Sequence, residues 1–182
     1  MGNPIADLTK KEWCVWIGSL LIIIMSNFLS EGFDPLTLVA ACIGVTSLIF
    51  AAKGNVWSQI LMIIFSILYG IISWQFRYWG EMMTYLGMTM PMAVWSTITW
   101  IKNPSESGKE VEIQRLTKKH IFLLIVSGIA VTTLFYMILA ALKTQNIVFS
   151  TISVTTSFFA ASLTMLRSVS YTHLTLPTTE RV

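Results

Sequence analysis

The side chains that could do chemistry in this 182-residue chain are amides, hydroxyls and aromatic rings inside long apolar segments. Seven of them are candidates for substrate contacts: Gln59, Tyr69, Tyr85, Trp95, Trp100, Thr151 and Thr155. Aromatic rings offer faces on which a flat molecule can stack, and amides or hydroxyls can orient it through hydrogen bonds. The pattern therefore favours binding of an uncharged polar small molecule.

Residue sets that would carry catalysis or hold a metal are absent from the sequence. There is no Gly-rich phosphate loop, no His, Cys and carboxylate grouping with metal-ligand spacing, and no nucleophile beside a candidate base. His120 lies next to two lysines at the mouth of an apolar segment, which is more typical of an interfacial position than of a proton relay. We therefore predict that the chain is not an enzyme and that it has no cofactor and no metal site.

Four of the candidates, Trp95, Trp100, Thr151 and Thr155, also have a structural explanation. Ser and Thr in membrane helices often bond to the preceding turn or pack against a neighbouring helix, so the hydroxyl-rich run 150–157 either does this or lines a cavity. Trp95 either contacts a solute or anchors its segment at the membrane interface. Four tryptophans at or beside segment ends fit the same anchoring role: Trp13, Trp57, Trp79 and Trp100.

The elements that must position these side chains are membrane helices. The composition is 54% hydrophobic and 12% charged, and the mean hydropathy is +0.70. Six apolar segments are long enough to cross a bilayer core that needs about 20 residues per helix. They cover residues 13–29, 35–52, 57–76, 82–101, 121–142 and 147–166, and none contains Asp, Glu, Lys or Arg. The predicted fold class is an all-α polytopic membrane protein with six transmembrane helices in a single domain, 1–167.

The distribution of Lys and Arg predicts the orientation of these helices. Nine of the 12 basic residues fall on one side of the predicted membrane, two fall on the other, and Arg181 lies in the tail. The more basic side is cytoplasmic by the positive-inside rule, so the N-terminus is expected in the cytoplasm. Because the basic residues are confined to short loops, nucleic acid is not an expected partner.

Two further segments have a distinct character. Residues 110–119 of the longest loop could form a short charged surface helix. Residues 168–182 are Thr-rich and polar, and the stretch VSYTHL within them resembles translated sequencing adapter. We predict that this tail is a non-native artefact to be left out of fold reasoning, with a natural polar tail as the alternative.

Four stretches of the chain carry a resemblance to a known family. They are residues 49–69, 78–81, 85–92 and 150–158, with sequences such as YWGE and YLGMTMPM. In these positions the chain resembles the PnuC-type transporters of nicotinamide riboside (nicotinamide mononucleotide), over residues 34–168. Members of that family resemble SWEET-type carriers, in which two three-helix repeats are joined by a linker helix in a 3+1+3 order. The resemblance implies that the first segment is an extra N-terminal helix and that the last two helices are missing through C-terminal truncation.

The resemblance also implies a function. It is facilitated uptake of nicotinamide riboside for NAD synthesis across a bacterial inner membrane, with a possible homotrimer and a cytoplasmic kinase as a functional partner. On this view the truncated chain itself would not transport. Two alternatives stay open: a non-transporting membrane scaffold, and a carrier for another neutral nucleoside-like solute. The scaffold would lack an aromatic-lined cavity between the third, fourth and sixth segments.

Overall fold

The computed structural model describes residues 4–6, 8–29, 32–105, 111–112, 116–142 and 147–167. The tail 168–182 lies outside the described residues. Within the described ranges the regular structure is helical, apart from one isolated antiparallel bridge between Pro104 and Val111. In chain order the elements are α1 (Lys10–Leu29), α2 (Pro35–Ala52), α3 (Trp57–Gln75), α4 (Trp79–Thr84), a π-helical segment (Tyr85–Thr89), α5 (Met90–Lys102), α6 (Lys118–Ala141) and α7 (Ile147–Met165).

Helix lengths and hydropathy confirm the prediction of an all-α, multi-pass membrane protein. In the described part of the chain, α1, α2, α3, α6 and α7 are each long and apolar enough to cross a membrane alone. The predicted fourth segment corresponds to α4, the π-helical segment and α5, which run without a break from Trp79 to Lys102. We call this continuous stretch the fourth span. All observed helix ends lie within three residues of the predicted segment ends.

The fourth span differs most from its prediction, because it starts at Trp79 and contains a π-helical turn. Pro91 lies in the first turn of α5. Proline has no N–H to donate, and its ring would clash with the carbonyl four residues earlier in a regular α-helix. The backbone widens here, and the N–H of Met90 donates to the carbonyl of Tyr85, five residues back. Such π-turns are frequent at functional sites.

The helices pack in a chain of neighbours. Helix α1 contacts α2, α2 contacts α3, α3 contacts the fourth span, and α7 contacts both the fourth span and α6. Small residues allow these close approaches, as is common between membrane helices. The Ser47 hydroxyl donates to the Ser58 carbonyl at 2.8 Å across α2 and α3. At Gly70 of α3, an added Cβ would lie 2.6 Å from Cγ of Leu86 in the fourth span.

The links expected in the cytoplasm gather at one end of the bundle. Lys53, which follows α2, forms an ion pair with Glu12 of α1 at 2.9 Å. The N–H of Val111 donates to the Gly54 carbonyl at 3.0 Å. Val111 is buried in a cluster with Val56 and Trp100, so this residue of the long loop packs against the helices at this end.

Two predictions about this end are wrong. The stretch 110–119 is not a surface helix where the structure describes it: Val111 pairs with Pro104, and α6 begins at Lys118. Trp100 is not an interfacial anchor, because only 3% of its surface is exposed. Its indole N–H donates to the Thr164 carbonyl at 3.1 Å and joins α5 to α7. Hydropathy could not reveal this bond, since the partner is 64 residues away along the chain.

Candidate functional site

A large cavity lies between α2, α3, the fourth span and α7. Its volume is about 1260 Å³. Along α3 the lining extends from Gln59 to Ile72, which corresponds to roughly 20 Å of helix and so to most of a bilayer core of about 30 Å. Six aromatic side chains line it: Phe65, Tyr69, Tyr78, Trp79, Tyr85 and Phe149. It is large enough to hold a nucleoside-sized molecule with room for water.

Three of these rings form a cluster on one wall of the cavity. The ring centres of Tyr69 and Tyr85 are 4.4 Å apart. Phe65 lies 5.6 Å from Tyr69 and 5.6 Å from Tyr85, and it meets Tyr85 edge-on. We call Phe65, Tyr69 and Tyr85 the aromatic cluster. Two structural features bring it together: the π-turn that starts at Tyr85, and the close approach of Leu86 to Gly70, the neighbour of Tyr69.

The polar lining is neutral along most of the cavity. Gln59 is 5% exposed, and its amide N–H donates to the Ser58 hydroxyl at 3.3 Å. On α7 the lining hydroxyls are Ser150, Ser153, Ser157 and Thr164. Their spacing of three or four residues and its multiples is that of one face of an α-helix. These groups can donate and accept hydrogen bonds without carrying charge.

Three of the seven candidate residues line the cavity, and four do not. Gln59, Tyr69 and Tyr85 line it. Trp95 does not line it, and 60% of its surface is exposed. Trp100 is buried against Thr164, and Thr151 and Thr155 donate to the carbonyls of the preceding turn instead of lining the cavity.

The hydroxyl-rich run 150–157 therefore divides by helical phase. The serines face the cavity, whereas the threonines bond within the helix or to α6, as in the 2.9 Å contact between the Thr155 and Thr132 hydroxyls. The sequence contained a signal for this division. Positions 150, 153, 157 and 164 form one stripe, and positions 151 and 155 lie on a neighbouring face.

Two charged residues at one end of the cavity were missed as site residues. Arg77 and Glu81 both line it, beside Tyr78, Trp79 and Gly80. The Glu81 side chain lies close to both tyrosines of the aromatic cluster, Tyr69 and Tyr85. The predicted segments leave Glu81 in the short link before residue 82. In the structure α4 begins two residues before Glu81, and the Glu81 side chain faces the cavity.

The backbone at Arg77 fixes this end of the cavity. Arg77 has a left-handed φ of 59°. Its N–H donates to the Trp74 carbonyl at 3.1 Å, and the Tyr78 N–H donates to the Ser73 carbonyl at 2.8 Å. This is the Schellman arrangement that ends many helices, usually with Gly at the left-handed position. The tight turn carries the chain directly from α3 into the fourth span.

Together these groups can bind and orient a flat, polar molecule through stacking and hydrogen bonds. Within the described residues, no three His, Cys, Asp or Glu side chains come together to hold a metal ion. The chemistry available at the cavity is that of recognition.

Comparison with known proteins identifies relatives of this arrangement. The family model described as nicotinamide mononucleotide transporter matches residues 34–175. The nicotinamide riboside transporter PnuC of Neisseria mucosa is 26% identical over 157 residues, which are 84% of this chain and 60% of that protein. This chain thus spans 60% of the length of the curated relative.

A solved structure has the same fold. The crystal structure of the vitamin B3 transporter PnuC superposes with a TM-score of 0.73 at 24% identity, over 92% of this chain and 73% of that chain. The matching family is one of transporters and not of enzymes, in agreement with the sequence prediction. Because the family model covers well over half of the sequence, the chain belongs to the nicotinamide mononucleotide transporter family.

Proposed function

We propose that this chain binds nicotinamide riboside in the cavity and takes part in its facilitated diffusion across the membrane. The observation that carries the proposal is the aromatic cluster with neutral polar groups around it, in a chain that belongs to a transporter family. A nicotinamide ring is flat and carries an amide, so it can stack on the rings and exchange hydrogen bonds with hydroxyls and amides. The curated relative is named for the same solute.

Facilitated diffusion agrees with the absence of charge along most of the cavity. Arg77 and Glu81 are the charged residues among those that line it, and both lie at one end. A proton- or ion-coupled carrier would place ionisable groups at depth. Downstream phosphorylation of the solute by a cytoplasmic kinase would keep its internal concentration low and so favour net uptake. We propose such a kinase as a functional partner, which need not bind this chain.

Among the seven sequence candidates, we propose Gln59, Tyr69 and Tyr85 as substrate contacts. Their shared position in the cavity supports this choice. Trp95, Trp100, Thr151 and Thr155 stay predictions without that support. A non-transporting scaffold is less favoured, since such a protein has no need for an aromatic-lined cavity. A carrier for a neutral nucleoside-like solute would differ from our proposal in the ring that it prefers and in the charge of that ring.

We propose a bacterial inner membrane location with the N-terminus in the cytoplasm. The contacts of Lys53 with Glu12 and of Val111 with Gly54 support a common side for the basic links. With the native Cys14 and Cys42 replaced by Ser, single cysteines introduced at Lys53 and at Arg77 test the orientation with a membrane-impermeant thiol reagent. In intact spheroplasts we expect labelling at position 77 and none at position 53, and the reverse pattern would invert the topology.

We also propose the arrangement and assembly that the resemblance implies. In it, α1 is an additional helix, α2, α3 and the fourth span form a first repeat, α6 is the linker, and α7 opens a second repeat in a single domain, 1–167. A homotrimer is proposed, and native mass spectrometry of the purified protein tests it. Resequencing the locus tests the artefact proposal for residues 168–182, and a natural stop codon after Val182 would contradict it.

Uptake of labelled nicotinamide riboside into proteoliposomes tests the function. Two proteins are compared: the 182-residue chain, and a version continued beyond residue 167 as the genomic locus encodes. Uptake by either one supports transport, and uptake by the longer version alone also supports the truncation proposal. If neither version moves or binds the solute, the nicotinamide riboside assignment fails.

A further inference from the structure

The charged end of the cavity has no role in recognition of an uncharged solute. Glu81 faces the cavity beside the aromatic cluster, within reach of the Tyr69 hydroxyl. No cationic side chain of the described residues pairs with it, although Arg77 lines the same end. A carboxylate next to two tyrosine rings 4.4 Å apart is a combination that attracts organic cations. The carboxylate supplies charge, and the ring faces supply cation–π attraction.

Nicotinamide riboside is such a cation. Its ring nitrogen is bonded to the ribose, so the pyridinium carries a fixed positive charge at every pH. We propose that Glu81, together with the faces of Tyr69 and Tyr85, recognises this charge and selects pyridinium nucleosides over uncharged ones of the same shape. This inference rests on the proposed function and deepens it. It also revises the sequence-based expectation of an uncharged solute, which followed from the absence of charge within the apolar segments.

The end of the cavity that contains Glu81 is distant from the neutral groups of the lining. Gln59 and Tyr69 are ten positions apart on α3, which corresponds to roughly 15 Å along the helix. The cation would therefore be held at the end where Glu81 lies, and the neutral groups deeper in the cavity would meet the solute only after it moves inward.

Two forms of the solute test the inference, because reduction of the pyridinium removes its positive charge, together with the aromaticity of the ring, and keeps the rest of the skeleton. The dihydropyridine form of nicotinamide riboside has the same skeleton as the oxidised form and no positive charge. We would measure equilibrium binding of both forms to the purified full chain in lipid nanodiscs. For the unmodified protein we expect the pyridinium form to bind about tenfold more tightly, as one charge contact of this kind allows. Equal affinity for the two forms would overturn the inference without any variant.

Variants assign the preference to Glu81. In Glu81→Gln the preference should fall below about threefold through loss of pyridinium affinity alone, since the dihydropyridine form makes no charge contact. Glu81→Asp keeps the charge and should keep most of the preference, which excludes a general folding defect. Retention of the full preference in Glu81→Gln would refute the role of Glu81.

The matched control removes a carboxylate that does not line the cavity. Asp34 caps α2 from outside the membrane helices, and the Thr37 hydroxyl and the Leu36 N–H hydrogen-bond to it, which lowers the pKa of Asp34 and keeps it charged. Asn is an equally good cap, so Asp34→Asn removes one negative charge without unfolding the helix end. We expect its ligand preference to equal that of the unmodified protein, and loss of the preference in this control would overturn a specific role for Glu81. If the unmodified protein binds neither form, the proposed function fails and this inference fails with it.

Discussion

Replacing Gly70 by Ala should destabilise the chain and weaken solute binding at the same time. Gly70 lies beside Tyr69 on α3, and Leu86 lies beside Tyr85 on the fourth span. An added Cβ would be 2.6 Å from Cγ of Leu86 and 2.8 Å from both of its methyl carbons. Because Cγ itself is too close, rotating the methyl groups cannot relieve the clash, and the side chain must move away as a whole.

The size of the effect follows from these distances. Reaching an ordinary contact of 3.4 Å needs a displacement of about 0.8 Å between α3 and the π-helical segment. Overpacking of this kind costs about 1–3 kcal/mol. Ala is favoured over Gly inside a helix by about 0.5–1 kcal/mol, which offsets part of the cost. We expect a net loss of about 1–2 kcal/mol in the free energy of unfolding, and a wider separation of the Tyr69 and Tyr85 rings.

Thermal unfolding followed by tryptophan fluorescence and equilibrium binding of nicotinamide riboside measure the two effects. Gly87→Ala is the matched control, because Gly87 lies on the same π-helical segment and an added Cβ there meets nothing within 4 Å. We expect this control to bind as the unmodified protein does, with an unchanged or higher Tm. If Gly70→Ala matches Gly87→Ala in both measurements, the packing account of the aromatic cluster is refuted.

Three other substitutions test separate parts of the fold by their effect on the free energy of unfolding. Trp100→Phe should lower the free energy of unfolding by about 1–3 kcal/mol, because the buried hydrogen bond to the Thr164 carbonyl is lost. The same change at the exposed Trp95 should alter it by less than about 0.5 kcal/mol, and equal effects would contradict the assigned positions. Arg77→Gly should raise the free energy of unfolding by about 1 kcal/mol in denaturant titrations, since Gly adopts the left-handed conformation without steric cost. A lower free energy of unfolding would argue against the positive φ. Glu12→Gln should lower the free energy of unfolding by less than about 1 kcal/mol, and by less still at high salt, because its partner Lys53 is partly exposed. An effect that salt leaves unchanged would contradict an ion pair of this kind.

The helices could be predicted from the sequence because a single property determines them. Each span needs a continuous apolar run of bilayer length, and that requirement is local. The π-turn at Tyr85 could not be predicted in the same way. Proline disturbs a helix, but the form of the disturbance at Pro91 depends on how Leu86 packs against Gly70, a contact between two helices.

The site could be predicted only in part, for a related reason. Tyr69 and Tyr85 are sparse polar rings in apolar helices, so they stand out in the sequence. Helical spacing separates Thr151 and Thr155 from the lining serines of the run 150–157, but the sequence does not indicate which of these two faces meets the cavity. Glu81 was overlooked because charge near a span end usually indicates a solvated link.

Equilibrium binding of nicotinamide riboside to the purified chain tests the central claim most directly. Two variants are compared, Tyr85→Ala within the cavity and Tyr136→Ala on α6, where the side chain is 49% exposed and does not line the cavity. Stacking of a flat ring on an aromatic side chain contributes about 1–3 kcal/mol, so we predict that Tyr85→Ala raises the Kd by roughly 5–150-fold. Tyr136→Ala should leave the Kd unchanged. Binding that is equally strong in both variants would contradict recognition in this cavity.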